Sequence, residues 1–328
     1  LMKVLVTGGA GYIGSHMLGA LHDENYEVVC FDNLSTGHRD LARCENFIEG
    51  DLADKTLLNK VFKNNNFDAV VHFAASSQVG ESIDDPGKYY RNNIANTQNL
   101  LDVMIDYDVQ KIVFSSTAAI FGNPQYIPID ENHPCNPINP YGRSKLLIEH
   151  MLADYDAAHN LKFVSLRYFN AAGADLNGLI GERHIPETHL IPLVLQTASG
   201  RRDDIAIFGN NYGTNDGTCV RDFVHVLDLC DAHLLSLDWL KNGGDSKRYN
   251  LGNGNGFSVM EVVNVAKKVT DKSISITNSP RREGDPEILI ADSKLIRKEL
   301  GWNPKYQELE SIIKHAWQWE ILDNGGNL

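Results

Sequence analysis

The sequence predicts an α/β protein built on a doubly wound parallel sheet, and three observations carry that reading. Short apolar runs alternate with segments of helical period through the first half of the 328-residue chain, the pattern of successive βαβ units. The first run, Lys3-Val4-Leu5-Val6-Thr7, passes at once into Gly8-Gly9-Ala10-Gly11-Tyr12-Ile13-Gly14. The second, Val28-Val29-Cys30-Phe31, ends at Asp32, 18 residues beyond Gly14. Strand, glycine turn, helix, strand and acid in that order define a Rossmann-like unit.

The elements follow from the spacing. Strands are predicted over 3–7, 27–31, 46–49, 68–73, 110–115 and 162–168, because short runs that are apolar throughout suit strands covered on both faces. Helices are predicted near 12–23, 55–65, 88–106 and 141–158. Pro140 suits the first turn of the last of these, where its missing N–H costs nothing. The pattern loosens after Asn170. Segments 171–186, 209–218 and 278–288 are rich in Gly, Asn and Arg, and a smaller C-terminal α/β lobe is expected there. The expected division is 1–169 for the cofactor-binding domain and 170–328 mainly for the substrate lobe. A stretch of about 219–240 is allowed to return to the first domain.

Composition narrows the partners. Lys plus Arg number 30 against 43 Asp plus Glu, a net charge of −13. Such a surface disfavours nucleic acid and anionic membrane, so an anionic substrate needs a local cluster of cations. No run of 18 apolar residues occurs, so no membrane span is expected. The start is already a strand without a signal-peptide pattern, and a cytoplasmic location is expected. The five cysteines, Cys30, Cys44, Cys135, Cys219 and Cys230, are odd in number and lack C-x-x-C spacing, so structural thiols are expected. The twelve histidines show no H-E-x-x-H spacing, and no metal is expected. His72, His189 and His225 lie in motif segments, and packing or hydrogen bonding is the first expectation for each.

The glycine segment has a physical reading. Gly8 permits the tight turn, Gly11 lets backbone approach a pyrophosphate, and Gly14 lets the helix pack close to the sheet. A helix N-terminus then faces the anion. Asp32 accepts hydrogen bonds from ribose hydroxyls and repels a 2′-phosphate, which argues for NAD over NADP. Further along, Tyr141-Gly142-Arg143-Ser144-Lys145 places a tyrosine and a lysine about one helical turn apart on one face. An ammonium beside a phenol favours the phenolate. Next to a nicotinamide, such a pair handles the proton of an alcohol whose carbon gives up hydride.

These motifs identify the chain as resembling the extended short-chain dehydrogenase/reductases, and among them the UDP-sugar 4-epimerases. The resemblance runs through Thr7–His16, Asp32-Asn33-Leu34, Gly50-Asp51-Leu52, His72–Ala75, Tyr89–Asn93, Phe114–Ala118, Asn139–Lys145 and Arg167–Asn170. It continues through Asp216–Val226 and Arg281–Asp285. It implies tightly bound NAD, UDP-glucose and UDP-galactose as the UDP-hexose substrate pair, a 4-keto intermediate, and a homodimer. Catalytic roles are implied for Tyr141, Lys145 and Thr117. Cofactor contacts are implied at Gly8, Gly11, Tyr12, Ile13 and Gly14, and at Asp32, Asn33, Asp51 and Leu52. Phe73, Ala74, Asn92 and Ser115 join them, with Tyr141 and Lys145 on the nicotinamide side.

On the substrate side the resemblance implies diphosphate contacts from Arg221 and Arg282. It also implies contacts from Asn170 to phosphate and sugar, Phe208 to uracil and Asp285 to ribose. His189 and Leu190 belong to the same wall. Leu289, counted without a gap between Gly284-Asp285 and Ala291-Asp292, matches a residue that gates the sugar pocket. A bulky tyrosine there goes with rejection of 2-N-acetyl sugars in relatives, and small residues with acceptance. N-acetylhexose or pentose UDP-sugars therefore stay open as substrates. A dehydratase would need an Asp-Glu pair after the hydroxyl, and Thr117-Ala118-Ala119 has none. A non-catalytic NAD-binding regulator is disfavoured because Thr117, Tyr141 and Lys145 are all present.

Overall fold

The computed structural model describes residues 2–282 and 285–325. Glu283 and Gly284 of the Arg281–Asp285 motif lie outside the described residues. Six strands fall where the apolar runs place them: β1 (Lys3–Thr7), β2 (Glu27–Asp32), β3 (Asn46–Glu49), β4 (Ala69–His72), β5 (Lys111–Thr117) and β6 (Lys162–Tyr168). They form one parallel sheet in the order β6-β5-β4-β1-β2-β3. The seventh strand, Lys247–Leu251, joins parallel to β6 at the far edge. The predicted strands stop at 168, so this strand is an addition from much later in the chain. Its polar Lys247-Arg248 start hides the apolar run, and its pairing is visible only in the fold.

Helices cover both faces of the sheet. Tyr12–Asp23 and Val226–Lys241 pack on one face, where Met17, Leu18, Leu21, Leu229 and Leu237 meet Val4, Val6 and Val71. Lys55–Lys63, Asn96–Asp106 and Pro140–His159 cover the other, with Leu58, Leu100, Met104, Ile148 and Leu152 on Leu5, Val70 and Ile112. Strands buried on both faces need this double cover. Ile296 and Trp302 belong to the first of these cores as well. A separate core joins helices Leu190–Ala198, Val259–Thr270 and Leu309–Asp323 around Val194, Val262, Val263, Ile312 and Ile313.

The predicted 88–106 helix is a composite. A short helix over Pro86–Tyr89 leads into a π-helical turn over Tyr90–Ala95 and then into Asn96–Asp106. The extra residue of a π turn rotates side chains off the regular helical face. Asn93 is buried there and donates to the Ser76 carbonyl at 2.9 Å and the Ser144 hydroxyl at 3.0 Å. It ties the end of β4 to the helix that carries Tyr141.

A buried charge cluster holds the sheet beneath that helix. The Glu149 carboxylate accepts from Ser116 Oγ (2.6 Å), Arg167 Nε (3.0 Å) and Nη2 (2.7 Å), and Arg248 Nε (3.1 Å). These groups come from the Pro140–His159 helix, β5, β6 and the Lys247–Leu251 strand. All five cysteines are free thiols. Among the described residues, no helix is long and apolar enough to cross a membrane.

Candidate active site

Ligands in doubly wound sheets lie beyond the carboxyl ends of the strands, and a cleft of about 760 Å³ opens there. Its floor is the glycine turn. Gly8 has φ +74°, and a Cβ there would sit 2.5 Å from the Ala74 backbone nitrogen. A Cβ at Gly14 would sit 2.1 Å from the Gly8 carbonyl oxygen. Neither position admits a side chain, so turn, β4 end and helix start stay in backbone contact. Gly11 has more room, 3.4 Å, and stands at the start of the Tyr12–Asp23 helix. No side chain caps that helix and no acid lies in its first turn. Its orphan N–H groups and dipole make the end attractive to an anion.

Asp32 ends β2 at the cleft. Its carboxylate accepts from Ala10 N at 2.9 Å and Leu34 N at 2.8 Å, which fixes its orientation. Burial raises its pKa while those two N–H groups pull it down. Asp51 accepts from Asn33 Nδ2 at 2.7 Å and from Ala53 N at 2.8 Å. Leu52, Phe73, Ala74, Asn92 and Ser115 also line the cleft, with Tyr12 and Ile13. Asn92 donates to Ser76 Oγ at 3.0 Å.

The reacting end is built by two elements pressed together. Asn139 caps the Pro140–His159 helix by accepting from Gly142 N at 2.8 Å. A Cβ at Gly142 would lie 2.4 Å from the Ala119 carbonyl oxygen. The helix therefore sits directly on the chain that leaves β5, and Thr117, the last residue of β5, lies beside Tyr141. Both line the cleft, as does Lys145. Tyr141 packs edge-on against Tyr89, with ring centroids 6.4 Å apart.

The charge state of this pair corrects the expectation. Lys145 was expected to lower the Tyr141 pKa. Burial instead raises it, and the neighbouring Thr117 hydroxyl is what pulls it down. Lys145 donates to the Ser115 carbonyl at 2.8 Å and lies 4.8 Å over the Phe114 ring. Burial pushes its own pKa down to about 7. The ammonium is thus directed at the strand rather than the phenol. His72 is a packing residue: it meets Thr7 Oγ1 at 2.6 Å and Thr97 Oγ1 at 2.9 Å, and burial lowers its pKa to about 3. His225 caps the Val226–Lys241 helix by accepting from Leu227 N at 3.1 Å.

The far wall comes from the second half of the chain. Asn170, His189, Leu190, Arg221, Asp285 and Leu289 all line the cleft. Asn170 Nδ2 donates to the Asp222 carbonyl at 2.8 Å. Arg221 pairs with the Asp285 carboxylate and donates to its neighbour's carbonyl, Val220 O, at 2.7 Å. Leu289 is held opposite Arg221 by the parallel pairing of Ile288–Leu289 with Val220–Arg221. Phe208 and Arg282 are not brought to the cleft wall. The Arg282 guanidinium stacks 3.7 Å over the Phe208 ring, a cation–π contact that occupies both groups with each other.

Three features were missed in the sequence. Tyr168, at the end of β6, hydrogen-bonds Ser115 Oγ and lines the cleft. Its neighbouring motif, Arg167–Asn170, pointed to it. Lys88 also reaches the cleft. The third is Glu182-x-His184-x-x-Glu187-x-His189, whose four side chains converge. Burial opposes the Glu182 charge, yet His189 and His184 hold its pKa down to about 2. Burial likewise opposes a proton on His184, and Glu182 with Glu187 raises its pKa to about 10. The alternating acid and imidazole spacing was the available signal.

Residues 4–252 match the NAD dependent epimerase/dehydratase family, and the chain belongs to that family. A UDP-glucose 4-epimerase of Halalkalibacterium halodurans is 52% identical over 318 residues, covering 97% of this chain and 95% of the relative. Among solved structures, UDP-glucose 4-epimerase from Brucella ovis in complex with NAD superposes with a TM-score of 0.95 at 48% identity, covering 97% and 98% of the two chains. The UDP-Glc/GlcNAc 4-epimerase of Campylobacter jejuni superposes with a TM-score of 0.87 at 45% identity, covering 98% of this chain and 100% of that one.

Proposed function

We propose that this protein is an NAD-dependent isomerase that interconverts UDP-glucose and UDP-galactose by inverting C4 of the sugar through a 4-keto intermediate. The observation that carries this is the single cleft shared by the glycine cradle, the Thr117–Tyr141–Lys145 group and Arg221. The residues fit the cofactor: the positions that must lack a Cβ lack one, and a helix N-terminus stands open beside them. Gly8, Gly11, Tyr12, Ile13 and Gly14 hold its pyrophosphate. Asp32, Asn33, Asp51 and Leu52 hold the adenosine end, and Phe73, Ala74, Asn92 and Ser115 line its path.

NAD, when bound, supplies the acceptor and donor of the C4 hydride. The chain supplies the rest. Tyr141 takes the proton from the 4-hydroxyl and returns it. Thr117 hydrogen-bonds the same oxygen as both donor and acceptor. Lys145 holds the nicotinamide ribose. Arg221 binds the diphosphate, because an arginine fork matches phosphate oxygens. Asn170, His189, Leu190 and Asp285 grip the nucleotide, so the keto sugar turns while UDP stays anchored.

Leu289 lines the cleft, and one relative at 45% identity is named for both UDP-Glc and UDP-GlcNAc. Use of N-acetylated sugar is therefore the second reading. Protein purified without added NAD, assayed against a panel of UDP-sugars with products separated by chromatography, tests both. Conversion of none of them overturns the proposal.

The assignment of 1–169 to the cofactor unit and of most of 170–328 to the UDP-sugar unit belongs to the same proposal. Support for a return of 219–240 comes from the Val226–Lys241 helix, which packs on the Tyr12–Asp23 helix and on β5 and β6. A cytoplasmic homodimer completes it. The five free thiols support a reducing compartment, and the pairing rests on the family resemblance.

A further inference from the structure

We propose that Glu182, His184, Glu187 and His189 form a binding site for a divalent first-row metal ion, zinc before others. Each side chain offers one ligand atom, and all four atoms lie within 4.8 Å of one another. His184 Nδ1 lies 3.0 Å from Glu182 Oε1 and 3.8 Å from Glu187 Oε1. His189 Nδ1 lies 3.9 Å from Glu187 Oε1 and closer still to Glu182 Oε1. Zinc bonded at about 2.0–2.1 Å to four tetrahedral ligands sets neighbouring ligands about 3.3 Å apart. The four atoms bracket that spacing, from hydrogen-bond contact to 3.9 Å for the acid–imidazole pairs and within 4.8 Å for all, so small side-chain shifts bring them to such corners.

The donor chemistry agrees. Two imidazole nitrogens and two carboxylate oxygens suit zinc and its neighbours in the d-block. Magnesium and calcium seek oxygen ligands throughout. Two carboxylates also neutralise a divalent cation once both imidazoles release their protons, so zinc binding here is accompanied by proton release.

The site is built rather than incidental. Both glutamate side chains are only 5% exposed, and a buried carboxylate is costly unless it is paired or bound to metal. Among the described residues, the Glu182 carboxylate has only the two imidazoles as partners. Glu187 Oε1 is steadied by the N–H groups of Thr188 at 2.7 Å and His189 at 2.9 Å. The Glu182 carbonyl accepts from Trp319 Nε1 at 2.9 Å, which fastens the segment to the Leu309–Asp323 helix. Such outer contacts aim first ligands at a metal. A second cavity of about 360 Å³ reaches Glu182, His184 and Glu187 from outside the main cleft, so an ion can arrive without crossing the cofactor path. The spacing matches none of the familiar zinc motifs, so the alternation of acid and imidazole is the one hint of the site in the sequence.

The test is a calorimetric titration of chelator-washed protein, carrying its cofactor, with zinc chloride. A single ion per chain is the expected result. Glu182→Gln and His184→Asn each abolish that binding, and His184→Cys restores it because a thiolate is also a zinc ligand. Absence of saturable zinc binding in the wild type, or undiminished binding in Glu182→Gln, overturns the site. Should the variants fail to fold, crystals of the wild type soaked in zinc decide it by anomalous scattering at the zinc edge. A peak among the four side chains supports the proposal, and peaks elsewhere alone refute it. Neither measurement involves a sugar, so the site stands or falls apart from the epimerase reading.

Discussion

In the proposed mechanism, Tyr141 is the residue on which turnover depends most directly. Its phenol, whose pKa burial raises and the Thr117 hydroxyl lowers, is the group proposed to exchange the substrate proton. Tyr141→Phe is expected to reduce kcat by ~10²–10⁴-fold while UDP binding, followed by calorimetry, stays unchanged. Lys145 shows a different cost. Its folded pKa is about 7 against an ordinary 10.5, so the unfolded chain holds the proton more tightly. Burial of the charge therefore destabilises the fold fully below pH 7, and the cost fades as pH rises toward 10.5. Lys145→Met should lose activity yet melt higher than wild type at pH 7 in cofactor-free protein, by a few kcal/mol at most. The two melting curves should converge near pH 10; equal stability at pH 7 would contradict the burial argument. Leu289 is the proposed determinant of sugar choice. Leu289→Ser should improve UDP-N-acetylglucosamine relative to UDP-glucose and Leu289→Tyr should do the reverse, each by roughly 10–200-fold in kcat/KM. Ratios that move less than about threefold would remove Leu289 from the pocket.

Among the elements, the Pro140–His159 helix does two jobs, because Glu149 lies about one turn beyond Lys145 and anchors it to three strands. Glu149→Ala would leave Arg167 buried without its counter-charge. Loss of one partner from a buried pair costs ~3–5 kcal/mol, so chemical denaturation should show a midpoint well below wild type. The same helix illustrates what the sequence could disclose. Its boundaries, 141–158 by pattern and Pro140–His159 in the fold, were legible because Pro140, Asn139 and the helical period agree. The π turn at Tyr90–Ala95 was not, since one added residue leaves the composition of a helix unchanged. Lys247–Leu251 escaped for a different reason: its neighbours in space are remote in sequence. At the cleft, the glycine turn was legible because sterics there forbid any other residue. The stacking of Arg282 on Phe208 was not, because single arginines carry no spacing signal.

For the molecule as a whole, the cofactor is a structural component. Gly8 touches Ala74, and the cleft draws residues from both halves of the chain, so a ligand bound there is coupled to global unfolding. A ligand at a hundred times its Kd adds about 2.7 kcal/mol. Protein released from NAD and refolded should therefore melt ~5 °C or more below protein as purified, and added NAD should restore the difference; an unchanged Tm would mean that the cofactor binds too weakly to be retained. The edge position of Lys247–Leu251 beside β6 reaches further, into biosynthesis. Chains emerge N-terminus first, so the Tyr141 helix and β6 leave the ribosome well before the strand that closes the sheet. Until then β6 presents a row of unpaired N–H and C=O groups on an apolar strand, the kind of border that recruits other chains. A nascent chain stalled between Tyr168 and Lys247 is thus the species most in need of a chaperone.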